Sequence, residues 1–225
     1  MKEQGKKKNK KSNWFLSTFD LRYWLYDFAK ITGAIPALIM YRLKTKCIYK
    51  RKDRYYRGPA IIVCNHVSLM DPPILCNCFW FKRLSFLAAS DLYKNKFLTF
   101  LFNGFRCIKV DRDNVSIKII KDAKKIINNG HSVCIFPEGH ITRDQELSSF
   151  KSGAAMIATQ SNAPIKQVYI KKREHWYQRV RVYVGKTIYP SDFVKGPIAT
   201  IDEINNITKF MEEQEHQLIN ETNKK

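Results

Sequence analysis

Apolar residues along this chain switch between two spacings. From about Arg57 onward, short unbroken apolar runs alternate with longer segments in which apolar side chains recur every three or four positions. Ala60-Ile61-Ile62-Val63-Cys64 and Ser132–Phe136 are runs of the first kind. Both are long enough for a buried strand and too short for a buried helix. Leu84–Ala89, Cys107–Val110, Ile165–Ile170 and Val180–Gly185 read the same way. Between them, Pro72–Phe81, Leu92–Phe102, Val115–Asn128 and Phe150–Ser161 read as helices, and a last helix runs from about Asp202 to Asn220. The clearest is Val115–Asn128, with Ile117, Ile120, Ala123 and Ile127 on one side and an Asn-Asn-Gly stop. Strands separated by helices predict an α/β domain: a mostly parallel mixed sheet flanked by helices. Such sheets gather their sites at strand ends. His66, Arg112 and Glu138 each follow a predicted strand, so one sheet edge is expected to hold all three.

The first 50 residues follow another pattern. A lysine-rich start gives way to WFLSTFDLRYWLYDFAKITGAIPALIMYRLK, in which Leu21, Trp24, Leu25, Phe28, Ile31 and Ile35 recur at helical spacing. The longest uninterrupted stretch, between Lys30 and Arg42, is about 11 residues or roughly 16 Å, half of a hydrocarbon core. Pro36 is expected to break it further. The segment therefore reads as a pair of interfacial helices rather than a membrane span. Charge sharpens this. Residues 1–57 hold 16 Lys and Arg against four acids, roughly +12 of the formal +20. An anionic phospholipid surface is the expected partner. Nucleic acid is not, because the aromatics follow a helical stripe and not a strand platform. Residues 1–50 thus read as a basic tail with interfacial membrane-binding helices, and 51–225 as the main domain. The expected location is the cytoplasmic face of the membrane, peripheral or monotopic. The six cysteines form no Cys-x-x-Cys pair, and those in apolar runs read as reduced buried thiols. Asp20, Arg22, Asp27 and Lys30 interrupt the apolar stretch that a cleavable signal peptide needs.

Candidate chemistry sits in three stretches. In NHVSLMDPP, a continuous helix would put His66 and Asp71 roughly 140° apart. Pro72 instead suits a helix start and moves Asp71 out of the helical region, so Asp71 reads as an N-cap. His66 and Asp71 then face each other across a strand–turn–helix junction. A histidine oriented by a carboxylate is a general base. The plainer reading is a cap beside a satisfied polar residue. No Gly-x-Ser-x-Gly nucleophile accompanies the pair, so the substrate is expected to supply the attacking hydroxyl. No His or Cys cluster completes a metal site, and none is expected. In CIFPEGHITRD, Pro137 stops a strand and Gly139 permits a tight turn that presents Glu138 and backbone N–H groups, as a polyol or phosphate requires. In GFRCIKVDR, Arg106, Lys109 and Arg112 surround a short strand, and arginine binds phosphate as a fork. Either stretch alone is equally an ordinary turn or a solvated basic strand.

Taken in order, NHVSLMD, VDR at 110–112 and FPEG at 136–139 resemble the blocks of the PlsC-like lysophosphatidic acid acyltransferase family, over roughly residues 58–190. FKSGAAMIA and VYVGKTI resemble later family segments. The resemblance implies a glycerolipid acyltransferase-like fold. It implies His66 and Asp71 as the catalytic pair, with Arg112, Glu138 and Gly139 binding substrate; Asn65 beside the pair, and Arg143 as a substitute for the third-block arginine, are further substrate-binding candidates. The implied reaction moves a fatty acyl group from acyl-CoA or acyl-carrier protein to the free hydroxyl of lysophosphatidate. Neither metal nor bound cofactor is implied. Three departures stand out. Ile141 occupies the position of the family's third-block arginine, Gln167 that of a proline, and Arg106 that of a second-block glycine, with Gly104 two residues earlier. The first keeps open an acyltransferase of the same fold acting on another lysophospholipid or alcohol. The net charge keeps open a non-catalytic membrane- or nucleic-acid-binding protein.

Overall fold

A computed structural model describes residues 24–47, 58–111, 117–142, 149–173, 175 and 178–223. Helix α1 (Trp24–Tyr41) leads into strand β1 (Lys44–Cys47). Strand β2 (Ile61–Cys64) runs into α2 (Asp71–Cys78), and β3 (Leu84–Ala89) into a 3₁₀ turn (Ser90–Lys94) and α3 (Lys96–Gly104). Then come β4 (Ile108–Val110), α4 (Ile117–Asn128), β5 (Ser132–Ile135), α5 (Gly153–Ser161), β6 (Ile165–Lys171), β7 (Arg181–Ile188) and the long α6 (Ile201–Asn223). The strands form one sheet in the order β1-β7-β6-β2-β5-β3-β4. Every pairing is parallel except β6 with β7, so the expected mostly parallel mixed sheet is what forms.

Helices cover both faces. Ile61 and Val63 of β2 pack with Ile119, Ala123, Ala154 and Met211 from α4, α5 and α6. Ile62 and Cys64 point the other way, onto Tyr26, Leu75 and Phe79 beneath α1 and α2. Alternate residues of this strand meet two cores, which is why it is apolar without interruption. α6 begins at a capping box: Thr200 Oγ1 accepts the Glu203 N–H at 3.2 Å, and Glu203 returns a carboxylate to the Thr200 N–H at 2.9 Å. Gly130, at φ 84°, ends α4 where the Asn-Asn-Gly signal lies. Ile117, assigned to the inner side by its spacing, is exposed, and Ile119 is buried in its place.

Two expectations change at the N-terminal end. Pro36 does not break the helix: α1 is one element of 18 residues. Proline removes the N–H that would reach the Thr32 carbonyl, but Thr32 is exposed and water can take that role. The second change is β1, whose polar sequence Lys-Thr-Lys-Cys carries no strand signal. It joins the sheet as an edge beside β7, where the backbone supplies the pairing and the side chains need not be apolar.

α1 is fastened to the domain. Arg83 donates twice to Asp27, at 3.2 and 2.6 Å. Tyr26 Oη accepts the Leu84 N–H at 2.9 Å. The Lys30 ammonium reaches the carbonyls of Trp80 and Lys82, and its burial there lowers its pKa to about 8. Gly104, at the end of α3, lies so close to α1 that a Cβ would stand 2.2 Å from Leu25 Cδ2.

Candidate active site

The carboxyl end of β2 delivers His66 to the expected edge. His66 Nδ1 lies 2.8 Å from Asp71 Oδ2. The same oxygen accepts the N–H groups of Val67 and Ser68, each at 2.8 Å. Asp71 is not the N-cap that the proline suggested. Met70 holds that position, and Asp71 is the first helical residue, fully buried, with its carboxylate turned back into the loop. A buried carboxylate accepts the Nδ1–H hydrogen bond and fixes the tautomer, leaving Nε2 to act as the base.

The third block closes around this pair. Phe136 stacks on the imidazole, centroid to centroid 4.1 Å at 16°, and the aromatic ring of Phe86 stacks behind it. Thr142 N–H donates to the His66 carbonyl at 2.8 Å. The Glu138 carboxylate accepts the His66 N–H at 3.4 Å and the Thr142 hydroxyl. Glu138 is buried, and these bonds join the first block to the third. Gly139, at φ 74°, occupies a left-handed conformation that favours glycine.

His66 opens on a cavity of about 720 Å³, within the range of small-molecule sites. Phe86, Leu87, Leu98, Leu101, Phe102 and Ile120 give it apolar walls, and α1 closes one side with Ala29, Gly33 and Ala37. Leu98, Leu101 and Phe102 of α3 therefore face this space. Among the described residues two cations line it, Lys30 and Lys151, with Asp111 as an exposed acid. Lys30 already holds two carbonyls. Lys151 is exposed, and its Nζ would lie 3.4 Å from a Cβ placed on Gly139.

Asn65, expected to bind substrate, does not face the cavity. Its amide donates to the Ile170 carbonyl at 3.0 Å and accepts the Ile170 N–H at 2.8 Å, clipping β2 to β6. Arg112 and Arg143 lie outside the described residues. Phe136, Thr142 and Lys151 were not singled out from sequence. Phe136 was assigned to the end of a strand, and alternation along that strand puts it two positions from Cys134, on the His66 side.

On the opposite face of the sheet, Gln167 donates from Nε2 to the Met211 carbonyl at 2.7 Å and to Glu215 at 3.3 Å. Burial, and then the charge of Glu138, raises the Glu215 carboxyl from 4.5 to about 8. The neutral acid is the form the core favours, so its contribution to stability is complete below pH 4.5 and is lost as the pH rises through about 8. Glu215→Gln keeps the shape without the titration. The melting temperature of the variant is expected to gain on wild type between pH 5 and 8 and to hold a constant lead above that; parallel profiles would refute the assignment. Burial lowers the Lys82 ammonium to about 7, which has the opposite slope, but this is common to both proteins and cancels in the difference.

A family model described as Acyltransferase matches residues 46–171, more than half of the chain. The chain belongs to the acyltransferase family. Within it, the "1-acyl-sn-glycerol-3-phosphate acyltransferase" of Bacillus subtilis is 24% identical over 204 residues, covering 86% of this chain and 100% of that relative. The "probable 1-acyl-sn-glycerol-3-phosphate acyltransferase" of Mycoplasma pneumoniae is 27% identical over 137 residues, covering 58% of this chain but only 51% of that protein. The crystal structure of the 1-acyl-sn-glycerophosphate acyltransferase PlsC from Thermotoga maritima superposes with a TM-score of 0.67 at 19% identity, over 94% of this chain and 87% of that one. At that identity the likeness establishes the acyltransferase fold.

Proposed function

We propose that the chain is a 1-acylglycerol-3-phosphate O-acyltransferase, moving a fatty acyl group from acyl-CoA or acyl-carrier protein to the free hydroxyl of lysophosphatidate. The observation that carries this is the His66–Asp71 pair opening on an apolar cavity of about 720 Å³. Family membership supports acyl transfer, and the names of the relatives support the acceptor. His66 Nε2 takes the hydroxyl proton as the oxygen attacks the thioester carbonyl. Asp71 holds the imidazolium that forms. The tetrahedral intermediate collapses, the C–S bond breaks, and the proton passes from His66 to the departing thiol. No step needs a metal or a bound cofactor.

The substrates are amphiphiles, which fits α1. Its outer side carries Trp24, Phe28, Ile31, Ile35 and Ile39, each more than half exposed and spaced along one helical stripe. No described helix is long and apolar enough to cross a membrane. An anionic lipid surface beside α1, at the cytoplasmic face, suits this stripe and the basic residues around it.

The test is thiol release from oleoyl-CoA or from oleoyl-loaded acyl-carrier protein by the purified chain on liposomes. Release that requires lysophosphatidate supports the reading. Release that requires a different lysophospholipid transfers the assignment to that acceptor, the alternative that Ile141 motivates. Absence of release with both donors rejects it.

Lys151 supplies an acceptor-facing positive charge. Lys151→Met is expected to raise KM for lysophosphatidate about tenfold, the value of one charge-assisted hydrogen bond, with KM for the thioester unchanged. Steady-state kinetics with each substrate varied in turn separates the two; an unchanged acceptor KM removes Lys151 from the binding site.

A further inference from the structure

Part of the rim of the cavity beside His66 is apolar and exposed. Leu69, Met70 and Leu92 line it and are themselves exposed. Leu69 and Met70 belong to the His66–Asp71 loop, and Leu92 to the turn before α3. An exposed apolar rim around a cavity mouth costs solubility unless something apolar covers it. α3 continues the pattern. One side lines the cavity through Leu98, Leu101 and Phe102. Another presents Phe97, 68% exposed, and Phe100, 56% exposed, neither of which lines the cavity or is needed for packing. Lys94 and Lys96 flank these rings and are exposed, the first beside Asp91 at 2.9 Å. The Gly104–Leu25 approach and the Tyr26–Phe105 edge contact at 5.1 Å set the end of α3 against α1.

We propose that α3 is a second membrane-contacting element, separate from α1, and that the rim of Leu69, Met70 and Leu92 opens directly into the hydrocarbon. A fatty chain then enters the cavity sideways from the bilayer without crossing water. This rests on the reading of the chain as an enzyme of lipid substrates. The occupant is a bilayer because phenyl rings flanked by lysines match its apolar interior and anionic surface together.

The test uses the full chain and vesicles of phosphatidylcholine with phosphatidylglycerol. Partition is followed by co-sedimentation, which needs no turnover and so is independent of the proposed reaction. Phe97→Ser/Phe100→Ser is expected to weaken partition about 100-fold, tenfold per ring. Ile31→Ser/Ile35→Ser on α1 serves as a separate arm, so that a failed role for α1 is distinguished from a failed role for α3. The α3 variant is expected to keep its rate on a hexanoyl thioester with a water-soluble short-chain lysophosphatidate. With Trp14, Trp24, Trp80 and Trp176 replaced by Phe, a Phe97→Trp variant is expected to lose fluorescence on vesicles with brominated acyl chains. Unchanged partition of the double serine variant, or an unquenched tryptophan, overturns the proposal. So does a shift of the variant from dimer to monomer with partition intact, which would assign the face to a second copy of the chain.

Discussion

Replacing His66 by Ala is expected to slow acyl transfer by about 10²–10⁴, the usual contribution of a positioned general base. That corresponds to about 3–5 kcal/mol of transition-state stabilisation. The loss should fall on kcat, because the imidazole occupies the entrance to the cavity and not its apolar walls, and KM for both substrates should stay within a few-fold. The fold should persist. The main-chain bonds of residue 66 to Thr142 and Glu138 do not use the ring, and Phe136 loses only one stacking partner. Thiol release and circular dichroism on the same preparation check both statements. A variant that retains near wild-type turnover would remove His66 from the chemistry, and with it the proposed mechanism.

Asp71 is expected to show two separable effects. Asp71→Asn keeps the shape and loses the charge that supports the imidazolium. In hydrolases with the same pairing this costs about 10⁴ in kcat, and a loss of about 10³–10⁴ is expected here. Asp71→Ala goes further, because one oxygen of this fully buried carboxylate accepts three N–H groups. Their acceptor would vanish from a half-buried loop, at about 1–2 kcal/mol for each. The alanine variant should therefore be destabilised by about 3–5 kcal/mol in urea denaturation, and the asparagine variant by much less. Equal stability of the two would mean that the loop does not depend on this oxygen.

The contrast between Asp71 and β2 shows what a sequence can disclose. β2 is legible because both of its faces are buried, so five neighbouring apolar residues have one economical interpretation. α6 is legible as a last helix from about Asp202, and the Thr200–Glu203 box fixes its start in the structure. The role of Asp71 is not legible in the same way. Local sequence correctly places a helix start beside Pro72, but whether the carboxylate caps that helix or folds back depends on where His66, Val67 and Ser68 come to rest. Asn65 is harder still, since its partner Ile170 lies 105 residues away and offers only backbone. β1 escapes notice because an edge strand is held by main-chain pairing, which leaves no mark on side-chain choice. The pairing of His66 with Asp71 survives all of this, since five residues bent at a strand–helix junction have few ways to avoid meeting.

α1 has a consequence beyond fastening and lipid contact. Ala29, Gly33 and Ala37 recur every fourth residue on its inner side, where they line the cavity. A Cβ on Gly33 would meet nothing within 4 Å. An alanine at that position would therefore meet no resistance from the domain. On the proposed reading, the depth available to a hydrocarbon tail is written in three small residues, on a helix that holds none of the reacting groups. Tail length and chemistry can diverge independently in such an architecture, one residue at a time.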